Sequence, residues 1–83
     1  MPTPTELAAE LVAVYIYSRR AKQPPKPDLE TVFKSQWLSI QGANAMTVDS
    51  MLELVRRRCE YFSYASEDAE FILSEVNHLL HNA

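Results

Sequence analysis

The segment MTVDSMLELVRRRCEYFSYAS, residues 46–66, carries the clearest structural pattern in this 83-residue chain. Read as one long helix, it places apolar residues at spacings of three and four, with charged and polar residues on the opposite face. This is the pattern of a helix with one face in a core and the other in water. We therefore predict an amphipathic helix around which the rest of the chain packs. Its apolar stripe comprises Val48, Met51, Leu52, Val55, Cys59 and Phe62.

The first predicted helix begins at Thr3-Pro4-Thr5-Glu6, which has the pattern of a capping box. We expect it to run to about Ala21, where Arg19 and Arg20 place positive charge near its negative end. Its middle, Leu11–Tyr17, is apolar on every side. A strand here would have no partner elsewhere in the chain, so a helix is favoured. Such a helix either lies at the centre of the protein or is partly covered by another chain.

A proline-rich segment, Gln23-Pro24-Pro25-Lys26-Pro27, follows the first helix. It is interpreted as a stiff, extended linker, and a ligand for aromatic-lined grooves is the alternative. Asp28 is predicted to cap the second helix, and Gly42, the single glycine, to end it in a left-handed conformation. The face of this helix expected in the core comprises Leu29, Val32, Phe33, Gln36, Trp37 and Ile40.

Thr47 is predicted to cap the third helix and Ser66 the fourth. The break between these two helices stays open, because one bent helix would satisfy the same pattern. Together the segments predict an all-α fold, a compact bundle of three to four short helices that forms a single domain over residues 1–83. The residues that the fourth helix is expected to bury are Ala69, Ile72, Leu73, Val76 and either Leu79 or Leu80.

Composition narrows the class of protein further. The apolar fraction, 47%, is typical of a globular chain, and the net charge of −3 gives no general attraction to nucleic acid or anionic lipid. Cys59 is the only cysteine, so a reducing, cytoplasmic location is expected. The longest apolar run, Leu11–Tyr17, is far shorter than the roughly 20 residues of a membrane-spanning helix, and no signal peptide is recognised. No membrane partner is therefore expected.

Charge is distributed unevenly along the chain. Residues 1–27 hold four basic and two acidic side chains (+2), whereas residues 66–83 hold no basic and four acidic ones (−4). The two ends can therefore attract each other, within one molecule or between two.

A cluster of arginines supplies the main alternative function, a helix-turn-helix DNA-binding regulator. In that hypothesis phosphate is held by Arg19, Arg20, Arg56, Arg57 and Arg58. Recognition helices contact bases through their first turns. The first turns of the third predicted helix carry acidic or small side chains, which do not suit this role. A ribbon-helix-helix dimer built on Leu11–Tyr17 is disfavoured because both faces of that segment are apolar. A nucleic-acid partner is therefore disfavoured.

Candidate catalytic and metal-binding residues are few. Glu75, His78 and His81 have ligand-like spacing on one helix, but a di-iron bundle needs two such pairs and further glutamates. Cys59 lies on the apolar stripe, where burial favours an inert thiol. A single glycine excludes a glycine-rich phosphate loop. We therefore expect no enzyme, no metal and no cofactor.

Aromatic residues support the preferred hypothesis, a non-catalytic interaction protein such as an adaptor, inhibitor or subunit. Large rings beside arginines have the composition of protein interfaces, although hydroxyls that reach water from the margin of the core would look the same. The partner is expected to be another protein, with a homodimer as the most economical version because the apolar first helix could be shared across a two-fold axis. The expected interface comprises Tyr15, Tyr17, Arg57, Tyr61 and Tyr64.

Overall fold

The computed structural model of the protein describes residues 3–82, and within them the chain forms four α-helices and no strand. The predicted all-α bundle is confirmed. Residues 1, 2 and 83, which the predicted domain includes, lie outside the described residues. In chain order the helices are α1 (Pro4–Ala21), α2 (Pro27–Asn44), α3 (Val48–Tyr61) and α4 (Ser66–His81).

Two helix starts agree with the sequence because a threonine side chain satisfies a free backbone donor. The Thr3 hydroxyl accepts a hydrogen bond from the Glu6 amide at 3.1 Å, and Pro4 occupies the first position of α1, where its missing N–H costs nothing. The Thr47 hydroxyl accepts from the Ser50 amide at 3.1 Å at the start of α3. Both caps were predicted from residue type and spacing alone.

Three other predicted helix ends are wrong by one or more residues. α2 starts at Pro27, so Asp28 lies inside its first turn, where a carboxylate favours the positive helix end without capping it. Gly42 does not end α2, which continues to Asn44 and turns at Ala45. Ser66 is the first residue of α4 rather than its cap, since the preceding residue occupies the cap position with no side-chain hydrogen bond.

The third and fourth helices are separate, which decides the alternative left open by the sequence. α3 ends at Tyr61, and Ser63 adopts a left-handed conformation with φ 56°. The single long helix over residues 46–66 is therefore real only between Val48 and Tyr61. Phe62, the last predicted residue of the apolar stripe, lies past the helix end and is exposed.

The centre of the bundle is not α3, which corrects the prediction that the chain packs around it. α1 and α4 each contact all three other helices, whereas α2 and α3, within residues 3–82, do not contact each other. α2 and α3 therefore each pack against the α1–α4 pair. This explains why α1 is apolar on so many sides: its own chain covers it, and the argument for sharing it with a second copy is removed.

One hydrophobic core joins the four helices. The buried residues of α2 are Phe33, Trp37 and Ile40. Leu29 and Val32 were predicted on the same face but are exposed, so the buried face of α2 is narrower than predicted and is centred near Trp37. α4 buries both Leu79 and Leu80. The remaining buried hydrophobic residues are Leu7, Ala8, Leu11, Val12, Tyr15, Ile16, Met51, Val55, Cys59, Ile72 and Val76.

Across residues 3–82, none of the helices combines the length and the apolar character that crossing a bilayer requires.

Candidate interaction surface

Three aromatic rings meet at the turn between α3 and α4, and we call Tyr61, Phe62 and Tyr64 the aromatic cluster. Tyr61 and Phe62 contact edge to face, with ring centroids 5.2 Å apart and planes at 82°. Phe62 and Tyr64 stack, with centroids 5.6 Å apart and planes at 26°. The Tyr61 residue is 75% exposed and Phe62 45%, while Tyr64 is half-buried against the core. The cluster is thus an ordered apolar surface that faces solvent.

The backbone of the turn explains why these rings face outward. The Tyr64 amide donates to the Cys59 carbonyl at 3.1 Å and the Ser63 amide to the Glu60 carbonyl at 3.0 Å. These two bonds and the left-handed Ser63 form a Schellman motif, which reverses the chain immediately after α3. Tyr64 then packs back toward the helix, whereas Tyr61 and Phe62 remain outside.

Arginine side chains border the aromatic cluster along α3. The Arg58 guanidinium lies 5.8 Å from the Tyr61 ring centroid, within the range of a cation–π contact. Arg57, one turn before Tyr61, is exposed, and its Nε donates to Glu53 Oε1 at 3.3 Å. Of the residues predicted at an interface, Arg57, Tyr61 and Tyr64 therefore lie on one end of α3.

Tyr17 lies on a different surface, a groove of about 610 Å³ between α1, the proline-rich segment and the start of α2. The Tyr17 residue is 72% exposed, and Leu29, which also lines the groove, is exposed as well. We call this the linker groove. Its lining comprises Ala13, Val14, Tyr17, Ser18, Gln23, Pro24, Pro25, Lys26, Asp28 and Leu29.

The linker groove and the aromatic cluster lie at the same end of the bundle. Arg19, near the end of α1, donates from Nε to Asp68 Oδ1, near the start of α4, at 2.9 Å. The same guanidinium lies 3.7 Å from Glu67 and 5.2 Å from the centroid of the Phe71 ring. The chain segments that follow α1 and precede α4, which carry the two surfaces, are therefore held side by side.

Tyr15 does not belong to either surface. Tyr15 is only 2% exposed, because the three other helices pack against α1 and cover most of its surface. Burial, reinforced by the negative charges of Glu30 and Glu75, raises the pKa of the Tyr15 hydroxyl to about 12. Tyr15 is therefore a core residue and is not accessible to a partner.

The arginines proposed for phosphate binding are dispersed and mostly engaged within the chain. Arg19 binds the start of α4, as described above. Arg56 donates from Nε to Glu53 and from Nη1 to Glu60, each at 3.0 Å. Arg57 and Arg58 contact Glu53 and Tyr61. Only Arg20 is without an ion pair or ring contact in the described part of the chain, so the five residues form no common basic patch.

The candidate metal ligands do not converge within residues 3–82. No set of three or more His, Cys, Asp or Glu side chains is placed to hold a metal ion there, and this covers Glu75, His78 and His81. Cys59 is buried, as predicted; burial, followed by the charge of Glu60, raises the pKa of its thiol. Glu53 has a pKa below its usual range because Arg56 donates hydrogen bonds to it, with Arg57 adding to the effect.

Sequence reasoning missed three surface residues. Phe62 was assigned to the core, and Leu29 and Val32 to the buried face of α2. Pro24 and Pro25, interpreted as a linker, also form a wall of the linker groove. The only sequence signal for this last role was the alternative interpretation of the proline-rich segment as an interaction element.

Comparison with known proteins adds no relative to this description. The chain matches no family model, no curated protein and no solved structure.

Proposed function

We propose that this protein is a non-catalytic protein–protein interaction module that docks another protein on its aromatic cluster. In this proposal Tyr61 and Phe62 are the anchor residues, Tyr64 supports them from the core side, and Arg57 and Arg58 border the contact. Tyr17 and the linker groove lie at the same end of the bundle and enlarge the docking surface. The module works as an adaptor, inhibitor or subunit in the cytoplasm, where its single thiol stays reduced.

The observation that carries the proposal is the exposure of two large rings in a fixed arrangement. Tyrosine and arginine are enriched among the residues that dominate binding energy, and aromatic rings bury a large area at little conformational cost. The Tyr61 and Phe62 ring centroids lie 5.2 Å apart, so a partner can cover both rings as one apolar surface. A partner that covers the two rings removes their apolar area from water. This burial favours binding by about 25 cal/mol per Å², before the entropic costs of association are subtracted.

The non-catalytic part of the proposal is supported by the state of the reactive side chains. The Cys59 thiol is buried and its pKa is raised, which disfavours the nucleophilic thiolate. Glu53, whose pKa is lowered, is held by Arg56 and Arg57 on an exposed helix face. Ion-pair networks displace a pKa for structural reasons as well as catalytic ones, so the lowered pKa of Glu53 does not by itself indicate a reaction site.

The alternative of a DNA-binding regulator is not favoured by these observations. Phosphate binding would require Arg19 and Arg56 to give up hydrogen bonds to Asp68, Glu53 and Glu60. A mobility-shift titration at low salt tests this alternative directly, since phosphate contacts bind most strongly there.

The experiment that tests the proposed function compares two variants in a capture assay. The immobilised native chain, a Tyr61→Ser/Phe62→Ser variant and a Leu38→Ser control are exposed to extract of cells that express the protein. Leu38 is a suitable control because it is 56% exposed and lies on α2, away from the aromatic cluster.

We expect proteins captured by the native chain to be retained by the Leu38→Ser control and lost by the double variant, while all three chains keep their helical circular dichroism. Equal capture by the native chain and the double variant contradicts the proposed surface.

A further inference from the structure

We infer that α1 pairs with α1 of a second copy of this chain, antiparallel, through residues on its outer side that we call the α1 stripe. The inference goes beyond the proposed function, because the pairing covers Tyr17 and leaves Tyr61 and Phe62 free to dock another protein. The two interfaces are therefore tested separately. The α1 stripe comprises Glu6, Ala9, Glu10, Ala13, Tyr17 and Arg20.

The α1 stripe is a continuous surface on one side of the helix. From Glu6 to Arg20 its exposed members are spaced by four, three, four and three residues, which keeps them on one side of a helix with 3.6 residues per turn. Ala9, one turn before the middle of the stripe, is half-buried. The buried arc of α1 is covered by α2, α3 and α4 and needs no second copy. The stripe is the part of α1 that a second copy can reach.

The charge of the α1 stripe changes sign along its length. Glu6 and Glu10 lie in its first turns, Arg20 lies in its last turn, and Ala13 between them is uncharged. Within residues 3–82, none of these three charged side chains forms an ion pair. Glu6 and Arg20 are equally far from Ala13 in sequence, on opposite sides of it. A two-fold axis at Ala13 therefore places Glu6 of each copy opposite Arg20 of the other, whereas parallel helices would oppose like charges.

Small side chains at the middle of the stripe allow two helices to approach closely. Ala9 and Tyr17 are also equally far from Ala13, so the same axis places Tyr17 of each copy over Ala9 of the other. The short alanine side chain leaves room for the ring. Tyr17 is 72% exposed in one copy, and covering it removes apolar area from water. The antiparallel pairing thus gives both the charges and the ring a partner.

The linker groove borders the basic end of the α1 stripe, and Tyr17 belongs to both surfaces. Beside it, Arg20, Lys22 and Lys26 are exposed and form no ion pair in the described part of the chain, against one carboxylate in the groove lining, Asp28. In the antiparallel pair this end faces the acidic first turns of the other α1. The surplus positive charge therefore attracts the second copy and favours this orientation.

The carboxylates at the start of α4 lie on another side of α1. Asp68 accepts a hydrogen bond from Arg19 Nε at 2.9 Å, and Glu67 lies 3.7 Å from the same guanidinium. A helix turns by about 100° per residue, so Arg19 leaves α1 toward α4 and not along the α1 stripe. The α4 carboxylates are therefore held by Arg19 and do not take Arg20 from the second copy.

The contact is short, so the dimer is expected to be weak and concentration-dependent. The first measurement is the solution mass by analytical ultracentrifugation from roughly 10 µM to 1 mM, the range in which weak association is populated. Ala13→Arg should stay monomeric, because it places two long cationic side chains at the axis. Ala13 is exposed and arginine favours helix, so the fold of this variant should be unchanged. Leu38→Ser should dimerise like the native chain.

A charge-reversal experiment tests the antiparallel register. Glu6→Lys and Arg20→Glu each place like charges opposite one another, so each variant alone should dimerise at least about tenfold more weakly than the native chain. An equal mixture of the two variants restores both opposite-charge pairs in the heterodimer, and its mass should return toward the native value. Recovery in the mixture excludes a folding defect as the cause of the loss. Glu70→Lys makes the same change of charge at an exposed site on α4 and should leave dimerisation unchanged.

Three results would overturn the inference. They are a native chain that is still monomeric at about 1 mM, an Ala13→Arg chain that dimerises like the native one, and a mixture that associates no better than its components. None of them affects the proposed function, since capture by Tyr61 and Phe62 is measured separately. A dimer that behaves as expected, with equal capture by the native chain and the Tyr61→Ser/Phe62→Ser variant, supports the inference and rejects the proposed docking surface.

Discussion

Gly42, inside the last turn of α2, and Ala45, just past its end, each have a backbone conformation that would suit the other residue better. Gly42 lies inside the helix, and a Cβ atom built on it meets no atom within 4 Å. Ala45 ends the helix in the left-handed region, with φ 51° and ψ 35°, where glycine has no steric cost. The end of α2 is therefore weaker than its length suggests.

Exchanging these residue types should stabilise the protein. Gly42→Ala is expected to raise the free energy of unfolding by about 0.5–1 kcal/mol, because alanine restricts the unfolded chain and favours the helix. Ala45→Gly should raise it by about 1 kcal/mol through relief of the left-handed conformation. Urea denaturation with an unchanged m-value measures both. A loss of stability in Ala45→Gly would show that Ala45 is not left-handed in solution.

The bond between Arg19 and Asp68 should contribute modestly to stability. Both side chains are partly exposed, so solvent screens the pair, and Arg19→Ala is expected to cost about 1 kcal/mol with its contact to Phe71 included. A double-mutant cycle with Asp68→Asn isolates the pair itself, which we expect to be worth about 0.5 kcal/mol. Arg20→Ala is the matched control and should change stability little. A coupling energy of zero would contradict the predicted contribution of this pair to stability.

Tyr15 should make the protein sensitive to alkali. Its pKa is raised from 10.0 to about 12 in the folded protein, so the unfolded chain loses the phenolic proton first as pH increases. Stability is therefore complete below pH 10.0 and is lost between pH 10.0 and about 12, by roughly 2–3 kcal/mol in total. Denaturant titrations across this range should show a steeper decline for the native chain than for Tyr15→Phe. Parallel declines would contradict the prediction.

Cys59 should react slowly with thiol reagents while the protein is folded. The side chain is buried and its pKa is raised, so both access and thiolate formation are disfavoured. We expect the labelling rate to increase by orders of magnitude when denaturant opens the core, in proportion to the open population. A variant with one exposed cysteine, Ser35→Cys on a Cys59→Ala background, supplies the rate of an accessible thiol for comparison. Labelling of native Cys59 at that same rate would show that α3 does not pack as described.

α2 should be the least protected helix in hydrogen exchange. Within residues 3–82, α2 packs against α1 and α4 more sparsely than α3 does, and it buries only Phe33, Trp37 and Ile40. Local opening of α2 leaves the packing among α1, α3 and α4 intact, so it should occur at lower free energy than global unfolding. Amide exchange measured residue by residue tests this. Equal protection at Trp37 and Leu11 would mean that the four helices open as one unit.

The helices were predicted well from the sequence, but the wrong helix was placed at the centre of the bundle, for one physical reason. Periodicity measures how one-sided a helix is, and α3 has the clearest stripe because it is buried on one side only, through Met51, Val55 and Cys59. α1 has no clear stripe because three helices surround it. The helix with the clearest pattern is thus peripheral, and the central helix was recognised only by its apolar character on every side.

The candidate surface was predicted in part. Tyr17 and Tyr61 lie off their helices' apolar lines, and both are exposed. Phe62 was misassigned because no residue type in the sequence marks the end of α3. The left-handed position of the turn after Tyr61 is occupied by Ser63 and not by glycine, the usual residue at such a position. Tyr15 was misassigned because its burial depends on the helices that pack around α1, which only the tertiary structure brings near.

The central position of the α1–α4 pair has a consequence for synthesis of the chain. Arg19 and Asp68, which join these helices, are 49 residues apart in sequence, so the core closes through contacts between the two ends of the chain. On the ribosome, α1 emerges first and keeps its α4-facing side chains uncovered until α4 follows. The core is therefore completed only after α4 has been synthesised, although each helix is short and locally well specified.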